Sequence, residues 1–136
     1  MSAYRANRLQ RDILEKIRQE GKFYEYLFVS WGIIELMADQ SILKTYGLSS
    51  QNPRAQPLLD LSIGKRLELF KKTGFLSTED CRTVLKFVKK RNDLFHRGSL
   101  FILSLNDHEK EEIMDMALLA VDTMYNLFRF INLSVV

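Results

Sequence analysis

An all-α fold, an antiparallel bundle of four principal helices with one short extra helix, is what this sequence predicts, and three observations predict it. Every long segment repeats its apolar residues at the helical period of about 100° per residue, and none alternates convincingly as a half-buried strand does. Chain breakers are scarce, with 6 Gly and 2 Pro in 136 residues, about half the usual share. The hydrophobic fraction of 46% beside 27% charged residues is that of a folded globular chain, which excludes a disordered one. A chain of 136 residues is sized for one core, so residues 1–136 are expected to form a single helical domain.

The first helix is expected over about residues 4–20, with Leu9, Ile13, Leu14 and Ile17 facing inward and Gly21 placed for a left-handed C-terminal cap. The second, about residues 22–45, is apolar on two faces: Phe23, Leu27, Trp31, Ile34 and Ala38 on one, Tyr26, Val29, Ile33 and Leu36 on the other. Such a helix is expected to be buried on several sides. Residues 46–56, which include Gly47, Ser49, Asn52 and Pro53, read as the one long surface loop. A short helix over about residues 59–72 turns Leu59, Ile63, Leu67 and Phe70 inward, with Gly74 just past its end. Ser77 then offers an N-cap oxygen, Asp80 adds a first-turn carboxylate, and the helix they open runs to Arg97, where Gly98 stops it. Phe101 to Leu105 reads as a connector packed on the core. Asn106 or Asp107 caps the last long helix, whose inward set is Ile113, Ala117, Ala120, Val121, Met124, Phe128 and Ile131.

The charge distribution narrows the choice of partners. The formal net charge is +3, yet residues 65–97 hold ten basic side chains against four acidic ones, so one third of the chain is a cationic block suited to an anionic partner. The N-terminal residues, with alternating charge and polarity, carry no apolar stretch of the signal-peptide kind, and no apolar run is long enough for a membrane span. No membrane partner is therefore expected, and a cytoplasmic location is. The lone Cys81 has no disulfide partner within the chain, which suits a reducing compartment.

The helix over residues 78–97 carries the candidate chemistry. Val84, Leu85, Val88 and Phe95 form its apolar stripe with Cys81, and Arg82, Lys86, Lys89, Lys90 and Arg97 form a basic one. Asn92 falls in the middle of the apolar stripe, Arg91 on its border, and His96 between the apolar and basic stripes. A buried Asn92 is expected to be hydrogen-bonded to a neighbouring element, because an unpaired amide in a core is costly. The basic side chains Lys86, Lys89, Lys90 and Arg97 are candidates for binding an RNA backbone.

Arg91-Asn92-Asp93-Leu94-Phe95-His96, near the end of an amphipathic helix and followed by a long final helix, resembles the signature of the HEPN superfamily of small helical-bundle proteins. The resemblance is strongest over residues 58–136. It implies an endoribonuclease that needs no metal or cofactor, is toxin or defence related, and works as a homodimer with a composite Arg/His site. It assigns Arg91 and His96 as catalytic, with Asn92 and Asp93 beside them, and implies RNA, a second copy of the chain and an antitoxin protein as partners. The residue types suit that chemistry: attack by a ribose 2′-hydroxyl needs a group that exchanges a proton near neutral pH and a permanent cation for the phosphoryl charge. One His cannot be base and acid at once, so two subunits supply two. Residues five apart in a regular helix project about 140° from each other, so either the helix distorts before His96, or Arg91 of one subunit serves His96 of the other. The position two after His96 holds Gly98 rather than the Tyr that some partner antitoxins modify.

A non-catalytic alternative is a dimeric interaction or regulatory module. The segment LSIGKRLELFKKTGFLS is similar to mannitol-operon-repressor-like proteins, and in that reading Arg91 and Asn92 brace the fold. Other chemistries lack their residues. Cys81 and His96 stand about 22 Å apart along one helix, two His are too few for a di-iron bundle site, and no Gly-rich phosphate loop is present. Asp93 with His96 offers at most a surface metal clip. His108 reads as exposed, and Trp31 reads as a core filler. The apolar breadth of the second and last helices predicts the homodimer.

Overall fold

The computed structural model describes the backbone of residues 3–134 and the side chains of residues 8–133; the outermost residues of the expected 1–136 domain lie outside the described residues. Seven helices and no strand occur among them: α1 (Ala3–Gln19), α2 (Phe23–Tyr46), α3 (Ala55–Leu59), α4 (Ile63–Lys72), α5 (Thr78–Arg97), α6 (Ser99–Leu103) and α7 (Asp107–Ser134). The four long ones are those the periodicity predicts. The short helix expected over residues 59–72 is α4, which starts only at Ile63 because Ser62 adopts extended backbone and its hydroxyl accepts the Lys65 amide, while the unexpected α3 bridges the end of the expected loop and the residues before α4. The expected Phe101–Leu105 connector contains α6.

The local signals behave as their chemistry requires. The Ser77 hydroxyl accepts the Asp80 amide at 3.0 Å. Asn106 and Glu109 exchange side-chain and backbone hydrogen bonds at the start of α7, a capping box. Gly98, at φ 90° and ψ 177°, ends α5 in a conformation that side chains resist.

α7 is the central column and packs most extensively on α2, then on α5. Phe23 and Lys110 meet at the starts of α2 and α7, so these helices run in the same direction. Arg18 pairs with Glu111 and Asp115, and Arg11 with Asp122, so α1 runs opposite to α7. Phe75, ahead of α5, meets Phe130 near the end of α7, which makes α5 antiparallel to α7. The core joins Leu14, Leu27, Ile34, Ile42, Leu67, Phe70, Phe87, Leu94, Val121, Met124 and Ile131, all without solvent exposure or nearly so.

Three expectations about faces are corrected. On α1, Leu14 is buried and Ile17 partly so, but Leu9 and Ile13 are exposed, since α2 and α7 together cover only a narrow strip of the helix. α2 is not buried on several sides: Phe23, Tyr26, Leu27, Ser30, Ile33, Ile34, Met37, Ala38, Ser41 and Ile42 form one continuous buried stripe. Its outer face keeps apolar side chains in solvent, Phe28 at 78% exposure, with Tyr24 and Leu36 exposed as well. On α5, Phe87 and Leu94 belong to the buried set while Phe95 is 47% exposed.

Arg66 ties the crossover segment down. Only 7% exposed, its guanidinium pairs with Asp39 of α2 and donates to the Leu61 carbonyl at 3.1 Å and the Leu59 carbonyl at 3.4 Å. Removing it leaves those carbonyls without their donor. Arg66→Ala should lower unfolding free energy by about 2 kcal/mol. Chemical denaturation should show the midpoint moving at constant slope, whereas Lys65→Ala on the exposed side of the same helix should leave it unmoved.

Candidate active site and cationic face

The buried arc of α5 is centred on Phe87, Val88, Arg91 and Leu94 rather than on Asn92. Counting Phe87 and Leu94 into the stripe rotates its centre by about 60°, which carries Arg91 inward and Asn92 out to the surface. The expectation of a core-bound Asn92 is therefore wrong. Asn92 is exposed, and its one described side-chain contact is a long hydrogen bond accepted from Arg91 at 3.4 Å.

Arg91 is the unusual residue. Its guanidinium carbon lies 3.9 Å from the centroid of the Trp31 ring and 4.8 Å from that of Phe95, so two aromatic side chains from two helices hold it. Trp31 is half-buried and leans on Phe87, with ring centroids 6.4 Å apart. It packs on the core as expected and, in addition, is a platform for the cation. No carboxylate among the described residues forms an ion pair with Arg91. Burial pulls its pKa below the usual arginine value, against the opposing field of Glu35, and the guanidinium remains charged in water. A half-buried cation stacked on aromatics and lacking an ion-pair partner is poised for an anion.

His96 sits in the last turn of α5 and is exposed. The helix is unbroken through Arg97, and the Gly98 amide donates to the Leu94 carbonyl at 3.1 Å. Of the two alternatives the distortion before His96 does not occur, so Arg91 and His96 leave opposite flanks of one regular helix and do not converge within the chain. Asp93 is committed to Arg97, at 3.1 Å, and Arg97 also lies over the Phe101 ring.

The other candidates separate into two groups. Lys86 and Lys89 line a groove between α4 and α5 with Lys71 and Arg82; Lys90 and Arg97 are not among its walls. His108 is exposed and pairs with Glu112. Cys81 is buried, and that burial pushes its thiol pKa up, which keeps it unreactive. No group of three or more metal-ligating side chains occurs among the described residues, and no helix there is long and apolar enough to cross a membrane. Sequence periodicity missed Trp31 and Phe95 as partners of Arg91, because an aromatic at helical spacing is indistinguishable from a core residue until the neighbouring helix is placed. Comparison of the chain with protein-family models, with curated proteins and with solved structures finds no match.

Trp31 is the sole tryptophan, so its fluorescence reports on the cation covering it. Arg91→Ala should shift Trp31 emission to the red by uncovering the ring, while Asn92→Ala should leave both the emission and, to within about 0.5 kcal/mol, the stability unchanged.

Proposed function

We propose that this chain is a metal-independent endoribonuclease of the HEPN type, toxin or defence related, that acts as a homodimer with a composite Arg/His site. The observation that carries the reading is the Arg91 guanidinium. It is held between Trp31 and Phe95 without an ion-pair partner, five residues before an exposed His on the same helix.

In the proposed reaction a ribose 2′-hydroxyl attacks the adjacent phosphorus while one imidazole takes its proton. The bond to the 5′-oxygen breaks as the second imidazole supplies a proton to it, leaving a 2′,3′-cyclic phosphate and a 5′-hydroxyl. Arg91 stabilises the charge on the non-bridging oxygens. His96 and the partner subunit's His96 supply the two imidazoles. The divergence of Arg91 and His96 on an unbroken helix favours assembly across two subunits. The exposed apolar side chains on the two helices that hold Arg91, Phe28 and Tyr24 of α2 with Phe95 of α5, supply an interface of the kind monomers seldom leave uncovered. An antitoxin protein would act by covering that face or the groove, since Gly98 stands where a modifiable Tyr would be needed.

The same divergence supports a second reading, a non-catalytic regulatory module in which Arg91 locks α5 to α2 by stacking.

Light scattering at micromolar concentration should give about twice 16.0 kDa, and Phe28→Glu should return the monomer. Labelled RNA in excess EDTA should be cut to products with cyclic phosphate ends. His96→Ala and Arg91→Ala should each lower the rate by about 10² to 10⁴ while the protein stays folded. A folded dimer that cuts no RNA would select the regulatory module, and activity that EDTA removes would point to a metal mechanism.

A further inference from the structure

The groove between α4 and α5 has a volume of about 420 Å³ and is walled by Lys71, Arg82, Lys86 and Lys89, with Glu68 as the one carboxylate and Thr78 at its end. Cys81 and Leu85 form an apolar floor. None of the four cations belongs to an ion pair among the described residues. Lys16, Lys44 and Lys65 are also outside the ion pairs, so what sets the groove apart is that four such cations converge on one slot. Four unpaired cations facing one slot repel one another, and an anionic occupant relieves that repulsion.

Arg82, Lys86 and Lys89 succeed one another at helical steps of four and three along one arc of α5, and His96 lies on that arc two turns beyond Lys89. Arg91 lies on the opposite flank. We infer that this groove is the track of a single RNA strand, whose phosphates meet Lys71, Arg82, Lys86 and Lys89 in passing toward His96.

The inference rests on the nuclease reading for the direction of the track. The choice of occupant comes from shape and charge. Two packed helices leave a furrow along their seam rather than a broad surface, which suits one extended strand, whereas a double helix presents its phosphates on a convex cylinder. An evenly charged strand matches cations repeated along a helix, and the floor at Leu85 offers an apolar surface to a base. The track excludes Lys90 and Arg97 from the main contacts, since Arg97 is already engaged by Asp93.

Binding of a fluorescent single-stranded oligouridine to the His96→Ala protein in EDTA, followed by anisotropy across a salt series, tests this without requiring cleavage. Four neutralised phosphates predict a slope of log K against log salt of about −3, at roughly 0.7 per contact. Lys71→Ala with Lys86→Ala should reduce the slope by about 1.4 and weaken binding at least tenfold, whereas Lys16→Ala on α1 should change neither. These lysines are exposed, so the variants should keep the parent melting temperature. An unchanged slope in the double variant overturns the groove, as does tighter binding of a duplex or of polyglutamate than of the oligouridine. Retained cleavage with an unchanged slope would sink the groove and spare the nuclease. Groove-dependent binding without cleavage by the unsubstituted protein would sink the nuclease reading and leave the groove as an RNA-binding site.

Discussion

The parallel packing of α2 on α7 is the constraint from which the rest of the molecule follows. Small side chains, Ala38 on α2 and Ala117 and Ala120 on α7, are wholly buried and let the two long helices approach closely. Two helices that run the same way cannot be joined by a tight turn, so the chain must travel back between them. α5 makes that return journey, antiparallel to α7, and α3, α4 and α6 are the corners it needs. The seam also encloses polar atoms without described partners, the Ser41 hydroxyl and that of Tyr125, whose pKa burial pushes up to about 12. Their desolvation is a cost the surrounding apolar contact offsets.

The return helix is then asked to do two things at once. One arc is buried against α7, and on the α2 side the arc carries Arg91. Stacking on Trp31 and Phe95 replaces the water a guanidinium loses there, but it leaves the hydrogen-bonding edge of the cation unsaturated. The opposite arc faces α4 and carries lysines that have no such shelter. A continuous helix therefore separates a stacked, oriented cation from a row of exposed ones. Oriented cations recognise geometry and exposed ones recognise charge.

Much of the fold was legible in the sequence because the four long helices satisfy period, cap and breaker signals together. Ser77, Gly98, Asn106 and the α7 stripe all did what their residue types require. What was not legible depended on where neighbours stop. Leu9 and Ile13 look like core residues by pattern, yet no element covers them. Omitting Phe87 and Leu94 from the α5 stripe was enough to exchange the surroundings of Arg91 and Asn92. The candidate site was legible as a residue pair on one helix end, and its aromatic clamp was not, since Trp31 is sixty residues away in sequence. Lys71 likewise joins the groove only through the α4–α5 hairpin.

Arg66 has a consequence for how the molecule breathes. One guanidinium holds the carbonyls that link α3 to α4 and grips α2 through Asp39, while α3 and its preceding loop bury Ala55 fully and Leu58 and Leu59 only in part. Such a region opens as a cooperative unit well below the free energy of global unfolding, with amide exchange faster there than in α2 or α7. α4 forms one wall of the cationic slot, so a side chain outside the lining of that slot helps hold the wall in place. Thermal loosening of the Arg66 anchor would widen the slot long before the core melts.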